Sequence, residues 1–313
     1  MTDRPLHNVA ASVRQRLTNI ARQSGRPFQE VLQYFAMERF LYRLSLSSQA
    51  ERFILKGALM FTVWGAPASR PTRDIDLLGH MNNSIDSLVP VFRDVCQQVV
   101  EPDGMVFDIT SLVGQVIKED ADYSGVRVTF LALLENARVP MQIDIGFGDV
   151  VVPDAALTEY PTILEFSAPQ LRVYPRETVV AEKFEVMVKL GRLNSGLKDF
   201  FDLWLLARSF EFDGTTLSTA VTQTFANRQT AIAAEPYALT AAFANDPVKQ
   251  TQWKGFLRKS RLEIAPQDLP AVIEVISGFL LPLAAALSAG QTFPSAWHPY
   301  GPWQNSLSEP PPV

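Results

Sequence analysis

The chain has 313 residues, of which 47% are hydrophobic and 19% are charged. At roughly 150 residues per domain this length predicts about two domains, and the apolar content excludes a chain that is disordered throughout. The formal net charge of −5 argues against a protein that coats nucleic acid by bulk charge, although it does not exclude a local basic surface. The single cysteine, Cys96, excludes an internal disulfide, and three histidines at no ligand spacing leave little for a zinc site.

The sequence predicts a cytoplasmic protein without a membrane span. Residues 1–10 lack the apolar stretch of a signal peptide. No apolar run reaches the roughly 18 residues that are needed to cross a bilayer. The most apolar segment, residues 272–289, is interrupted by Glu274 and Pro282, which favours a buried helix.

Hydrophobic periodicity predicts helices over residues 6–24 and 27–46, the second with Pro27 in its first turn. The middle of the chain then alternates short strands and helices. The predicted elements are a strand at 53–55, a helix at 58–64, a strand at 73–78, a helix at 84–100 and strands at 126–134 and 139–147. This alternation predicts an α+β fold with a mixed sheet flanked by helices.

After Pro175 the pattern is mostly helical. Helices are predicted over residues 177–190, 197–208, 215–226, 246–260 and 268–288, and the Pro- and Ser-rich tail from residue 299 is predicted to be disordered. The chain is therefore expected to divide into N-terminal helices packed on the core (1–48), a sheet-containing core (49–170), a helical C-terminal domain (171–298) and a disordered tail (299–313).

Charge is distributed unevenly along the chain. Residues 1–47 carry seven arginines against three acids, residues 74–165 carry sixteen acids against four bases, and residues 172–198 carry six bases against three acids. One interpretation is ordinary solvated faces. The other is an acidic, metal-holding centre between basic walls that receive a polyanion.

Acidic residues alternate with apolar ones in two predicted strands. Alternation places Asp74 and Asp76 on one face, about 7 Å apart, and if the strand that carries Asp144 is a neighbour, its carboxylate completes a group of three. Carboxylates suit Mg²⁺ or Mn²⁺, and a half-buried Asp is costly unless it is paired or bound to metal. The alternative is a polar strand face without a ligand.

Phosphate-binding candidates flank these strands. Gly57 lies at a predicted strand-to-helix turn, where the backbone can approach a phosphate, although such a glycine is more often a simple turn. Further along the chain, Lys183 and Lys189 lie on the polar face of a predicted helix, followed by Lys198, Asp199 and Asp202. These residues could hold triphosphate oxygens or could be ordinary charges on solvated helices.

Taken together, these motifs resemble the AbiEii/AbiGii toxin family of the nucleotidyltransferase superfamily. The matching segments are FILKGAL at 53–59, RPTRDIDL at 70–77, QIDIGFGD at 142–149, EK at 182–183 and KDFFDL at 198–203. The resemblance covers about half of the chain. It implies a nucleotidyltransferase-like mixed sheet and attack of a hydroxyl on the α-phosphate of an NTP, with release of pyrophosphate.

The resemblance also implies roles for individual residues. Those implied to be catalytic are Asp74, Asp76, Lys183 and Asp202, with Asp199 or Asp202 as the required acid. Those implied to bind the metal are Asp74, Asp76 and Asp144, and those implied to bind the nucleotide are Lys56, Gly57, Ala58, Arg73, Lys189, Lys198 and Asp199. The serine that often follows the glycine in this superfamily is replaced by Ala58, so only backbone N–H donors remain there.

Family members act as toxins of toxin–antitoxin or phage-defence systems, and some resemble enzymes that add nucleotides to tRNA 3′ ends. The resemblance therefore implies Mg²⁺ or Mn²⁺ as cofactor, an NTP as substrate, an RNA acceptor and an antitoxin encoded nearby. Three alternatives stay open: a small-molecule or protein hydroxyl as acceptor, a non-catalytic NTP-binding module, and kinase-like γ-phosphoryl transfer.

Overall fold

The computed structural model describes residues 8–67, 70–118 and 124–305. The chain divides into two compact units. The first unit is formed by the described residues up to Gly65, by Thr72–Gly148 and by Ala156–Val173. The second unit is formed by the described residues of Ala66–Pro71, by Asp149–Ala155 and by the chain from Tyr174 onward.

The first unit contains a mixed sheet and its helices. Its elements in chain order are α1 (Val9–Ser24), α2 (Phe28–Leu46), β1 (Phe53–Lys56), α3 (Met60–Val63), β2 (Asp74–Gly79), α4 (Ile85–Cys96), β3 (Met105–Lys118), β4 (Ser124–Leu134), β5 (Ala137–Phe147), β6 (Ala156–Glu159) and β7 (Gln170–Val173). The seven strands lie in the order β3-β4-β5-β2-β1-β7-β6. Strand pairs β2–β5 and β1–β7 are parallel and the others are antiparallel, which confirms the predicted α+β fold.

Helix α2 forms much of the core of this unit because most of its length is apolar and buried. It packs against α1, α4, β5 and β7. Phe40 contacts the rings of Phe92 on α4, Phe107 on β3 and Phe130 on β4 at centroid distances of 5.4–6.0 Å. Helix α2 is therefore packed against α4, β3 and β4 through a cluster of aromatic rings.

Helix α2 also carries a buried ionic group. The guanidinium of Arg43 donates to both carboxylate oxygens of Asp103 at 2.7 and 3.0 Å, and Nε of Arg39 donates to the same carboxylate at 3.0 Å. The carboxylate of Glu38 contacts Arg39 at 3.3 Å and accepts from the backbone N–H of Ile163 at 2.7 Å. Two arginines thus face two acids within the core.

Strands β3, β6 and β7 are missing from the sequence-based prediction. In β3 the pairing register shifts between Asp108 and Val113, which breaks the alternation of polar and apolar residues by which strands are recognised. The predicted helix over 58–64 is shorter than expected, because a 3-10 turn at Gly57–Leu59 precedes the four-residue α3. So short a helix has little dipole, so a phosphate at Gly57 would have to bind mainly through backbone N–H groups, and phosphate binding there stays a prediction.

The second unit is mostly helical, as predicted. Its elements are α5 (Arg176–Leu190), α6 (Leu197–Ser209), β8 (Phe212–Asp213), α7 (Gly214–Asn227), α8 (Ala241–Ala244), α9 (Pro247–Ser260), α10 (Leu269–Ser288), β9 (Ser295–Trp297) and β10 (Trp303–Asn305). Strands β8, β9 and β10 form a small antiparallel sheet.

The prediction of a disordered tail from residue 299 is wrong for residues 299–305. Trp303 of β10 stacks on Phe279 at a centroid distance of 5.6 Å, and its indole N–H donates to the carbonyl of Phe279 at 2.8 Å. A large buried aromatic contact outweighs the Pro- and Ser-rich composition that indicated disorder. Residues 306–313 lie outside the described residues.

Helix α10 is long and apolar enough to cross a membrane by length and composition alone. In this fold one side of it packs against α6, α7, α8 and α9, where Ile276, Phe279 and Leu283 are fully buried. The core helix of a globular unit can have the same length and composition. The sequence indicated an interruption at Pro282, but α10 continues through this residue to Ser288.

Candidate active site

The two strands that carry the acidic motif are neighbours in the sheet. Because β2 and β5 pair in parallel, Asp76 lies opposite Asp144 and Asp74 lies opposite Gln142. One carboxylate oxygen from each of Asp74, Asp76 and Asp144 lies within 4.8 Å of the others. The intervening side chain of Ile75 is fully buried in the core. The structure thus brings together the three acids that the sequence pattern grouped.

Each of two carboxylates in this triad is held by a neighbouring side chain. The hydroxyl of Thr72 donates a short hydrogen bond to Asp74. Nε and Nη2 of Arg127 donate to the two oxygens of Asp144, each at 2.8 Å, and the amide of Gln142 donates to the same carboxylate at 3.2 Å. The hydrogen bond from Arg127 to Asp144 raises the pKa of the guanidinium, and the negative charges of Asp74 and Asp76 act in the same direction.

The turn after β1 lies close to the carboxylate of Asp76, the remaining acid of the triad. Gly57 has a φ of +74°, and a Cβ atom built on it would lie 1.9 Å from Oδ2 of Asp76. Only glycine fits this position, because the left-handed backbone and the close approach both exclude a side chain. Lys56 precedes it and is the register partner of Asp76 across β1 and β2. The side chain of Ala58 is buried, so only its backbone can meet a ligand.

Helix α2 fixes the segment that leads into β2. The amide of Gln33 donates to the carbonyl of Arg73 at 3.4 Å and to that of Pro140 at 3.2 Å. The backbone N–H of Thr72 donates to the hydroxyl of Tyr34 at 3.1 Å. The side chain of Arg73 is exposed. These contacts connect the backbone beside both acidic strands to one rigid helix.

The donor set of the triad fits a hard divalent cation. Mg²⁺ prefers carboxylate oxygens at roughly 2.1 Å, so two opposite ligands of one ion are about 4.2 Å apart. The three oxygens lie within 4.8 Å of one another and therefore need only small side-chain rotations to share an ion. Among the residues that the structure describes, Asp74, Asp76 and Asp144 are the cluster of His, Cys, Asp or Glu side chains that could hold a metal ion.

The second unit contains a separate charged cluster. Nζ of Lys183 on α5 contacts Asp199 at 2.6 Å and Asp202 at 2.8 Å, both on α6. Nε of Arg70 donates to both oxygens of Asp202 at 3.2 and 3.3 Å. Burial would lower the pKa of Lys183, but the carboxylates of Asp199 and Asp202 raise it above its usual value. Burial would raise the pKa of Asp202, but Lys183 and Arg70 hold it below its usual value.

The burial of Asp202 favours a positioning role over the catalytic role that the sequence suggested. The side chain of Asp202 is 1% exposed and is held by Lys183 and Arg70, so it has no free face for a substrate. Lys183 is 16% exposed and Asp199 is 14% exposed. The cluster therefore fixes the ammonium group of Lys183 and keeps it charged.

The predicted site residues thus lie in two groups, one in each unit. The first unit carries Lys56, Gly57, Ala58, Arg73, Asp74, Asp76 and Asp144, and the second carries Lys183, Lys189, Lys198, Asp199 and Asp202. Lys189 is half-buried and Lys198 is exposed. The first group forms the carboxylate triad and its turn, and the second includes the cluster around Lys183.

Sequence reasoning missed several partners of these residues. Arg127 and Thr72 hold the triad, and Arg70 completes the cluster of the second unit. Arg127 could have been found from the sequence, since it is the polar residue between buried Val126 and Val128 in a predicted strand.

Arg228 forms ion pairs with Asp149 and Glu185 in the second unit. The sequence does not indicate these pairs, because the two acids are 79 and 43 residues away from Arg228.

Two solved structures and one family model are similar to this chain. No curated protein matches the chain. The solved structure of JHP933 from Helicobacter pylori is similar with a TM-score of 0.49 and 15% identity, over 84% of this chain and 94% of that one. A predicted nucleotidyltransferase from H. pylori is similar with a TM-score of 0.46 and 14% identity, over 84% of this chain and 97% of that one.

At these levels of similarity, neither structure bears on function. The family model described as "Nucleotidyl transferase AbiEii toxin, Type IV TA system" matches residues 39–275, which is most of the chain. That range includes the triad, the turn at Gly57 and the cluster around Lys183, and it confirms the family that the sequence motifs indicated. The chain belongs to the AbiEii nucleotidyl transferase toxin family and is a nucleotidyltransferase.

Proposed function

We propose that this protein is a cytoplasmic, Mg²⁺-dependent toxin that transfers a nucleoside monophosphate from an NTP to the 3′ end of a tRNA. The observation that carries the proposal is the triad of Asp74, Asp76 and Asp144, with ligand oxygens within 4.8 Å of one another, in a chain of this family. The family implies an NTP substrate and an antitoxin partner.

The reaction is an in-line attack of the terminal ribose hydroxyl on the α-phosphorus. A new P–O bond forms to the acceptor, the bond to the β-phosphate oxygen breaks, pyrophosphate leaves, and the hydroxyl proton passes to solvent. When bound, Mg²⁺ supplies positive charge beside the attacking oxygen and the phosphate oxygens. The protein contributes by holding Asp74 through Thr72 and Asp144 through Arg127 before the substrate arrives. The entropy cost of ordering these carboxylates then does not add to the activation free energy.

Lys183 is our candidate for the phosphate-binding cation. Its ammonium group has three donors, of which Asp199 and Asp202 take two, so one remains for a phosphate oxygen. The raised pKa keeps this group charged at any physiological pH. We assign supporting contacts with the nucleotide to Lys189 and Lys198.

The charge distribution supports an RNA acceptor. Helix α1 contains Arg14, Arg16 and Arg22 and no acidic residue. Arg14 and Arg16 are 46% and 40% exposed at their side chains, and they form surface ion pairs with Glu135 and Glu165 at 3.2 and 3.9 Å. Such pairs are weak, so these arginines can exchange their partners for the phosphates of an RNA even when the net charge of the chain is −5.

A small-molecule or protein hydroxyl is the competing acceptor, and the acidic net charge favours it. Salt separates the two alternatives. The KM for an RNA acceptor rises steeply between about 50 and 200 mM salt, whereas the KM for a neutral or cationic small acceptor does not.

The direct test incubates the purified protein with total tRNA, Mg²⁺ and each labelled NTP in turn. We expect labelled tRNA and released pyrophosphate, and a loss of at least about 10³-fold in rate in Asp76→Asn. Absence of label with all four NTPs would exclude the tRNA acceptor. Release of ADP or GDP instead of pyrophosphate would indicate kinase-like transfer, and NTP binding without turnover would indicate a non-catalytic module.

The toxin role has its own test. Induced expression of the protein should arrest growth, Asp76→Asn should not, and co-expression of the adjacent open reading frame should restore growth. Equal growth arrest by the wild type and by Asp76→Asn would show that the effect does not depend on the carboxylate triad.

A further inference from the structure

Arg127 is the residue of the metal-site region for which neither the motifs nor the family description gives a role. It lies on β4 directly opposite Asp144 on β5. Its guanidinium binds both oxygens of that carboxylate at 2.8 Å in a fork arrangement. The geometry is that of a cation already seated on one of the three metal-binding acids.

The pair uses most of the capacity of the Asp144 carboxylate. A carboxylate offers about four lone-pair positions. Arg127 takes two and the amide of Gln142 takes a third. An entering metal ion therefore has to share or displace these donors before it can bind Asp144.

We propose that Arg127 is a built-in counter-ion of Asp144, which occupies this carboxylate while no metal is bound and yields it to the entering cation. The inference rests on the metal-dependent function proposed above. Arg127 is on this view a positioning residue. It keeps three mutually repelling carboxylates in place, and it lowers the metal affinity of the enzyme.

Exposure makes the exchange feasible. The side chain of Arg127 is 36% exposed, whereas that of Asp144 is 11% exposed. The guanidinium can therefore swing into solvent and be hydrated while the carboxylate stays in place. Ion pairs at partly exposed positions are weak enough for a divalent cation to replace them.

The test measures Mn²⁺ binding by electron paramagnetic resonance on the full chain without nucleotide. We expect Arg127→Gln to bind Mn²⁺ at least about tenfold more tightly than the wild type, because a competing charge and two competing hydrogen bonds are removed. Arg127→Lys should lie between them, since it keeps the charge but loses the fork. Loss of Mn²⁺ binding in Asp76→Asn would show that the ion binds at the triad.

Two matched variants separate this effect from general electrostatics. Arg138→Gln makes the same charge change at an exposed position on β5, six residues or about 20 Å along the strand from Asp144, and should leave the affinity unchanged. Lys56→Gln removes a positive charge opposite Asp76 without a change at Asp144. It should raise the affinity only a few-fold.

Thermal unfolding gives a second readout. Without metal, Arg127→Gln should unfold at a lower temperature than the wild type, because the carboxylates lose their counter-ion. Mn²⁺ should then raise its unfolding temperature more than it raises that of the wild type.

The outcomes distinguish failure of this inference from failure of the proposed function. Unchanged or weaker Mn²⁺ binding by Arg127→Gln, with a wild type that binds, overturns the role of Arg127 alone. An equal gain in Lys56→Gln also overturns it, since the effect would then be one of charge only. Absence of Mn²⁺ binding in the wild type and in every variant, with NTP present as well as without it, overturns the metal site and with it the proposed function.

Discussion

The two charged clusters of this protein differ in their charge balance. In the first unit three carboxylates, those of Asp74, Asp76 and Asp144, lie together, and one of them is ion-paired with Arg127. In the second unit, two cations face two acids. These are Arg70, Lys183, Asp199 and Asp202. The first cluster groups three like charges, whereas the second combines equal numbers of positive and negative charges.

The difference indicates what each cluster is for. Like charges within 4.8 Å of one another repel, so a cation that joins them would relieve this repulsion, as expected for the metal site proposed above. In the cluster around Asp202, removal of that acid takes one of two carboxylates from Lys183 and both bound oxygens from Arg70, so breaking the cluster is costly. Charge balance thus distinguishes the proposed metal site from a cluster that fixes the ammonium group of Lys183.

The largest expected effect on stability tests this contrast directly. Asp202→Asn leaves Lys183 and Arg70 with one acid between them, and we expect it to lower the free energy of unfolding by about 3 kcal/mol or more. Asp74→Asn removes one of the repelling charges and keeps an acceptor for Thr72, so its stability should be unchanged or higher. Chemical denaturation of the metal-free proteins measures both values.

Asp268→Asn serves as the control within the second unit, because Asp268 is exposed and makes no capping hydrogen bond to α10. It should change the free energy of unfolding by less than about 0.5 kcal/mol. A similar loss of stability in Asp202→Asn and Asp74→Asn would break the comparison between the two clusters.

The ionic group buried around α2 in the first unit extends the comparison, since it contains two arginines and two acids. Burial raises the pKa of the Glu38 carboxyl from 4.5 to about 7, although the N–H of Ile163 and the charge of Arg39 oppose the shift. The native state therefore keeps a proton that the unfolded chain releases in this pH range. The associated stability is present below about pH 4.5 and is lost as the pH rises to about 7, with an upper value on the order of 3 kcal/mol.

Glu38→Gln removes this pH dependence. As the pH rises from about 5 to about 8, the wild type should lose stability relative to the variant, as measured by the free energy of unfolding. Glu30→Gln, on the same helix but at a surface ion pair with Arg26, should give a difference that stays nearly constant over that range. A constant difference for Glu38→Gln as well would show that the buried carboxyl is ionised throughout.

The acidic triad was predictable because it follows from local patterns. Alternation in two strands placed Asp74, Asp76 and Asp144 on polar faces, and pairing of β2 with β5 then joined them. Most helices were equally visible from their apolar periodicity. Strand β3 was not, because its bulge breaks the alternation, and neither was the cluster around Arg228, since its contacts join residues far apart in sequence.

The sequence pattern explains only in part why position 57 is a glycine. A glycine before a predicted helix indicated a phosphate turn. The structure adds a steric reason, since Oδ2 of Asp76 occupies the space of a Cβ atom at this position. Such a contact depends on the packing of β1 against β2, which a single sequence does not contain.

Gly57→Ala gives the sharpest test of how the triad is held. The left-handed backbone, with a φ of +74°, costs an alanine about 1–2 kcal/mol. Gly65→Ala is the matched control, since Gly65 has a φ of +65° and no atom within 4 Å of the point where a Cβ would lie. Both variants should lose this backbone contribution in chemical denaturation, but Gly57→Ala should lose more, because only its Cβ would overlap Asp76 and push the carboxylate out of place.

Activity and metal binding then separate the two glycine variants. A displacement of about 1 Å can reduce the catalytic rate by about 10²-fold, because the reacting groups must be held at the right distance and orientation. We therefore expect nucleotide transfer and Mn²⁺ affinity to fall in Gly57→Ala and to stay near wild type in Gly65→Ala. Equal losses in both variants would mean that the turn acts through backbone strain alone, and that Asp76 does not depend on the open space that Gly57 leaves for it.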